Sequence, residues 1–105
     1  MALAKVNFTG AVAAATQLIA APTTPEQLMI EKIIVSVGKV QSGKILKFYE
    51  AGGGAAPFFV VDLGVGEVHP FEPVRHYPLP AATALHYEAD STAVNCSIVV
   101  EYGTT

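Results

Sequence analysis

Ala93-Val94-Asn95-Cys96-Ser97-Ile98-Val99-Val100-Glu101-Tyr102 carries the clearest secondary-structure signal in the chain. Val94, Cys96, Ile98, Val100 and Tyr102 fall on one side of a period of two, and Asn95, Ser97 and Glu101 on the other. Side chains alternate across a strand, so this pattern predicts a strand with one face on a core. Just upstream, Leu85 and Tyr87 oppose His86 and Glu88, and Asp90-Ser91-Thr92 in between are turn formers. The two segments together read as an antiparallel hairpin.

The same period recurs earlier. Val6 and Phe8 oppose Lys5, Asn7 and Thr9, and Leu46 and Phe48 oppose Lys47 and Glu50. Phe58-Phe59-Val60-Val61 is a short apolar run suited to a buried strand, and Gly52-Gly53-Gly54 before it predicts a hairpin with 44–50. The Ala-rich residues 11–21 fit helix or strand. Thr24-Pro25-Glu26-Gln27 has the form of a helix start, and Ile30, Ile33, Ile34 and Val37 share a helical face. The β-branched run Ile33-Ile34-Val35-Ser36-Val37 suits a pleated surface better, so 29–38 is read as a strand, with at most one helical turn before it. Residues 69–80 contain Pro70, Pro73, Pro78 and Pro80. Proline cannot donate to a ladder, so this segment is an extended loop or an edge. Together the segments predict an all-β fold class: one antiparallel, jelly-roll-like β-sandwich of seven to eight short strands over residues 1–105, with 1–10 as an N-terminal arm or edge strand.

The 105 residues are 51% hydrophobic and 14% charged, which leaves apolar surface over after one small core is filled. That favours association with other subunits. The six basic residues are scattered and the net charge is -3, so neither nucleic acid nor a membrane surface is an expected partner. The one cysteine, Cys96, lies on the apolar side of its strand and reads as a small core residue in a protein folded without disulfides. The N-terminal apolar stretch is interrupted by Asn7, Thr9, Gly10, Thr16 and Gln17 and is not read as a signal peptide.

Gly38 to Lys44 has the spacing of a phosphate-binding loop, and Phe58-Phe59-Val60-Val61-Asp62 resembles the strand that positions its magnesium. Ile45 stands where that motif needs Ser or Thr, and the residues after it are strand-like where a helix is required. A polar hairpin turn is the better reading. His69, His76 and His86 match no metal-ligand spacing, no pair of carboxylates is set for acid–base work, and no serine sits in a nucleophile elbow. The chain is therefore read as a non-enzyme, with no catalytic, cofactor-binding or metal-ligating residue.

Phe71-Glu72-Pro73, Tyr77-Pro78-Leu79-Pro80-Ala81-Ala82-Thr83-Ala84-Leu85-His86-Tyr87 and the final strand from Ala93 to Tyr102 resemble small virion proteins of tailed bacteriophages. Ala15-Thr16-Gln17-Leu18-Ile19-Ala20-Ala21-Pro22 before an Ile/Val-rich strand is similar to the same group. The resemblance implies a β-sandwich protein of the phage particle, most like the capsid decoration (cement) proteins. Such proteins bind the outer surface of the head as homo-oligomers, often trimers, against the major capsid protein, after assembly in the host cytoplasm. Other roles it admits are head–tail, tail or fibre components, or a module that binds a host glycan. The expected contact segments are 1–10 and 69–80, with Leu3, Val6, Phe8, Phe71, Val74, Arg75, Tyr77 and Leu79 as interface residues. Phe71 and Tyr77 stand out as aromatics in a proline loop, where a ring can anchor a partner.

Overall fold

The computed structural model describes residues 2–9, 11–38, 44–50, 56–64, 68–89 and 96–105, and of residues 13–15 the backbone alone. Nine strands run through the described residues: β1 (Ala2–Phe8), β2 (Val12–Ile19), β3 (Leu28–Val37), β4 (Ile45–Tyr49), β5 (Phe59–Asp62), β6 (Val68–Phe71), β7 (Tyr77–Pro78), β8 (Leu85–Ala89) and β9 (Cys96–Thr104). They form two antiparallel sheets. The first has the order β1-β9-β3-β6, with the two-residue β7 also on β3; the second has the order β2-β8-β4-β5. Numbered without β7, the eight strands run 1-8-3-6 and 2-7-4-5, the strand order of a jelly roll. The sandwich expected from alternation is present, and its ninth strand is a short piece of the proline segment.

The hairpin expected across Asp90-Ser91-Thr92 is not. β8 pairs with β2 and β4 in the second sheet, while β9 lies between β1 and β3 in the first. Both strands alternate as expected: Leu85, Tyr87 and Ala89 are buried on one, Cys96, Ile98 and Val100 on the other. Alternation reports which face meets the core, and it is equally satisfied when consecutive strands face each other across the core. The hairpin expected of β4 and β5 does form, with Leu46 opposite Val61 and Phe48 opposite Phe59. Its glycine turn lies outside the described residues, as does most of the 38–44 loop; that loop leads into strand β4, but it joins β3 of the first sheet to β4 of the second and is not the hairpin turn expected there.

Thr24-Pro25 starts no helix. The peptide between them is cis, and the Glu26 amide donates to the Thr23 carbonyl at 2.8 Å, closing a tight turn that delivers the chain into β3. The helix-like spacing of Ile30 and Ile33 has a different origin. Pairing with β9 shifts register between Ile30 and Lys32, leaving Glu31 as an exposed bulge. The extra residue puts both isoleucines on the inward face, where each is fully buried. The ambiguous segment 11–21 holds β2, whose pairing to β8 also shifts register twice.

The core between the sheets is built from Leu28, Ile30, Ile33, Val35, Ile98 and Val100 of the first and Leu46, Phe48, Val61, Leu85 and Tyr87 of the second. Cys96 is buried and free, and burial pushes its thiol up to about 11. The C-terminus is tied down: the Thr105 amide donates to the Gln27 carbonyl at 3.2 Å, and the Gln27 amide to Thr105 Oγ1 at 3.1 Å.

Candidate interaction surface

The proline segment is half edge and half wall. β6 pairs with Ile33–Ser36 of β3, and β7 with Met29 and Ile30, so the segment follows one side of β3 with an exposed excursion at 72–76. Val74 at its tip is fully exposed, Arg75 and His76 are exposed beside it, and Lys32 Nζ lies 3.7 Å from Glu72 at its base. Leu79 is different. It is 0% exposed, its amide donates to the Leu28 carbonyl at 2.9 Å, and its own carbonyl accepts from Gln27 Nε2 at 2.9 Å. It belongs to the core, which removes it from the expected contact set, and Phe8 at 9% exposure goes with it. The pattern Pro78-Leu79-Pro80 gives no alternation to betray this.

Phe71 and Tyr77 are half-buried, and their rings meet other rings. Phe58 stacks on Tyr77 at 4.7 Å between centroids, Phe71 meets Phe58 edge-on at 5.6 Å and Phe59 at 5.1 Å, and Phe59 stacks on the buried Phe48 at 5.5 Å. This aromatic chain bridges β5 at the end of one sheet and β6 and β7 on the other, so it closes that side of the sandwich. The Tyr77 hydroxyl donates to Glu50 Oε1, and that bond, with burial and the carboxylate charge, raises the phenol to about 12.

The outer face of the second sheet is polar. Register places Gln17, His86 and Tyr49 in one row and Glu88, Lys47 and Val60 in the next. Tyr49 Oη donates to Glu88 Oε1 at 2.5 Å, and this bond, desolvation and the Glu88 charge raise Tyr49 to about 12. His86 is half-buried, with an Nδ1 that has no hydrogen-bond partner. His69 lies on β6 opposite Val35, in the other sheet from His86, and His76 belongs to the exposed excursion. Among the described residues no group of three His, Cys, Asp or Glu is placed to hold a metal. Among the same residues no helix is long and apolar enough to cross a membrane.

The outer face of the first sheet is where sequence reasoning missed most. Register sets Lys5, Val99, Ile34 and Pro70 side by side across the four strands, and Asn7, Ser97, Ser36 and Val68 in the next row. Leu3 at 55% exposure and Val68 at 57% stand at its corners. Its charges are Glu101 and Lys32, which align with Leu3 at one end, and Lys5 at the β1 margin of the next row. The sequence held a signal for this. Ile33-Ile34-Val35 and Ile98-Val99-Val100 are unbroken apolar runs inside alternating strands, so each places one apolar side chain on the solvent side. Of the residues expected at an interface, Leu3 belongs to this face, Val6 is half-buried on the inward face of β1, and Val74 and Arg75 lie on the adjoining loop. No protein-family model and no curated protein matches the chain.

Proposed function

We propose that this chain is a virion structural protein, a decoration (cement) protein that binds the outer surface of a tailed-phage head and ties neighbouring capsomers together through the major capsid protein. The observation that carries this reading is the pair Ile34 and Val99, adjacent on the solvent side of the two central strands of the first sheet. Sheet faces left to water commonly take polar residues at such positions, so adjoining apolar ones favour a face that another surface covers. Pro70 and Val68 extend the strip, and Ser36 and Ser97 keep it flat. Val74 projects beside it. A rigid, sparsely charged sandwich face suits shape-complementary contact with a shell. Binding the closed lattice in preference to free subunits stabilises the lattice by mass action. The resemblance of the C-terminal half to small phage virion proteins supplies the choice of partner, and the fold by itself does not, since jelly rolls host many functions.

The test is co-sedimentation with shells assembled from the major capsid protein of the same phage. Saturable binding at fixed stoichiometry, with a raised melting temperature of the shell, is expected. Val68→Lys with Val99→Lys should weaken binding at least tenfold while the variant stays folded, because both positions face solvent in the free protein. Wild-type protein that leaves the shells bare overturns the reading.

The aromatic chain is the feature that favours a glycan-recognition module. Its rings are spent on one another, and the Tyr77 hydroxyl is engaged by Glu50, which argues for closure of the sandwich over a sugar platform. A glycan-array signal abolished by Tyr77→Phe would reverse that judgement.

A further inference from the structure

Among the described residues the two sheets have open edges at β1, at β6 with the two-residue β7, at β2 and at β5, and they are not equally protected. β6 is four residues long and carries Pro70, which cannot donate to a ladder. β5 is also four residues long, ends at the exposed Asp62 and is flanked by the aromatic chain. β2 is broken by two register shifts. Short length, proline, charge and bulges are the means by which proteins stop sheet edges from pairing with other chains. β1 is the exception. It runs seven residues, pairs with β9 without a register shift from Ala2↔Tyr102 to Phe8↔Cys96, and contains neither proline nor glycine. Among the described residues no strand lies on its other side.

The single guard on β1 is Lys5, exposed at its middle. Its effect depends on register. Two β1 strands related by a two-fold axis pair antiparallel, with same-face residues opposed. If the axis passes through Lys5, the two lysines stand directly opposite each other, which is destabilising. Shift the axis by one residue either way and the conflict disappears. With the axis at Ala4, Lys5 faces Leu3 of the second copy, whose apolar side chain can lie along the lysine stem. With the axis at Val6, Lys5 faces Asn7. In both registers the inward residues Ala4 and Val6, half-buried now at the sheet margin, gain neighbours from the other copy and the apolar row continues across the junction. Lys5 thus selects registers and leaves pairing open.

We infer that β1 is a self-association edge, joining two copies of this chain into one continuous sheet. A single strand pair buries less than the roughly 1,000 Å² of a firm interface, so the dimer is weak and concentration-dependent in free solution. This goes beyond the decoration reading and does not rest on it, since the protein alone suffices for the test. It predicts two-fold pairing where the resemblance implied a trimer.

The solvent-facing residues of β1, Leu3, Lys5 and Asn7, allow a test by charge. Leu3→Lys with Asn7→Lys puts lysine opposite lysine in every same-face register. Leu3→Glu with Asn7→Glu puts glutamate opposite Lys5 in both permitted registers. Each double variant removes the same apolar side chain, so adhesion through Leu3 alone would be lost in both. Within one subunit Leu3 stands opposite Glu101, so the lysine variant gains monomer stability and the glutamate variant loses some, the reverse of the order expected for pairing. Light scattering from micromolar to millimolar protein should show wild type rising from 11.0 kDa toward twice that mass. The lysine variant should stay monomeric, and the glutamate variant should dimerise at least as strongly as wild type. Amide exchange over residues 2–8 should slow with concentration in wild type only where the mass rises. A wild-type monomer throughout, a trimer indifferent to both variants, or equal loss in both variants overturns the inference.

Discussion

Leu79 and Val74 lie five residues apart in the same proline segment, and the sequence marks both for contact. The structure gives them opposite environments, and alanine substitution turns that into a measurement. Leu79→Ala removes three buried carbons, and at ~0.8 kcal/mol per CH₂ the transfer loss is about 2.4 kcal/mol. The backbone at this position is held by two hydrogen bonds of 2.9 Å, from the Leu79 amide to Leu28 and from Gln27 Nε2 to the Leu79 carbonyl, and both survive the substitution. They keep the walls apart, so the cavity collapses little and the cost rises to about 3–4 kcal/mol, inside the range for buried leucines. Against a whole stability of about 5–15 kcal/mol for a domain, that loss is a large fraction. The midpoint of thermal unfolding should fall by roughly 12–20 °C. Val74→Ala removes two carbons that are already in water and should change stability by no more than about 0.5 kcal/mol. Urea titration followed by circular dichroism measures both. A Leu79→Ala variant as stable as wild type would refute the placement of Leu79 in the core, and with it the role of 77–80 as a wall of the sandwich.

The titrating groups give two further expected outcomes. Tyr49 and Tyr77 hold their protons to about 12 against the ordinary 10.0, so absorbance titration of the folded chain should show both ionising late, and Glu88→Gln should return Tyr49 toward the ordinary value while leaving Tyr77 in place. Because the folded-state values are raised, the stability these bonds contribute is complete below about pH 10 and is lost as pH climbs toward 12; equal stability at about pH 8 and about pH 11.5 would contradict the bonding. Cys96, buried and with its thiol raised to about 11, should react with a disulfide reagent at about pH 8 only as fast as the sandwich opens, and at once in denaturant. Stoichiometric labelling of the native chain within minutes would show that β9 is not where the structure places it.

The strands and their inward faces were legible because burial writes itself into a local period. Cys96, Ile98 and Val100, or Leu46 and Phe48, need only their own neighbours to be read. Pairing partners were legible where a turn is short and both strands stay in one sheet, as for β4 and β5. They were not legible for β8 and β9, since the same alternation and the same polar link serve a strand that stays in its sheet and one that crosses to the other. The bulge at Glu31 misled in a further way, converting a strand's spacing into a helix's between Ile30 and Ile33. Of the residues expected at an interface, Leu3, Val74 and Arg75 lie in water, while Leu79 carries no periodicity to show that it turns inward. Ile34 and Val99 were visible as breaks in alternation, but which side of the sheet they would reach depended on register.

The crossing topology also connects fold to use. In this jelly roll all links between successive long strands but one pass from sheet to sheet, so the first strand ends at an edge while the last, β9, is locked between β1 and β3. β9 therefore presents Val99 at the centre of the first sheet's outer face, beside Ile34, and β1 presents an unbroken seven-residue margin to that same face. The apolar strip and the open edge adjoin through the row Lys5, Val99, Ile34 and Pro70. Pairing two copies through β1 would set their two strips side by side in one sheet, doubling the apolar face offered to a shell without any new contact to it. A weak dimer in solution would then bind a repeating lattice far more tightly than either strip alone, because the second strip is held close once the first has docked. If so, the lysine double variant at positions 3 and 7, though its strip is untouched at Val99, Ile34 and Pro70, should bind shells with single-strip affinity and a shallower dependence on concentration than wild type. Undiminished binding by that monomeric variant would separate the two surfaces and leave the strip to act alone.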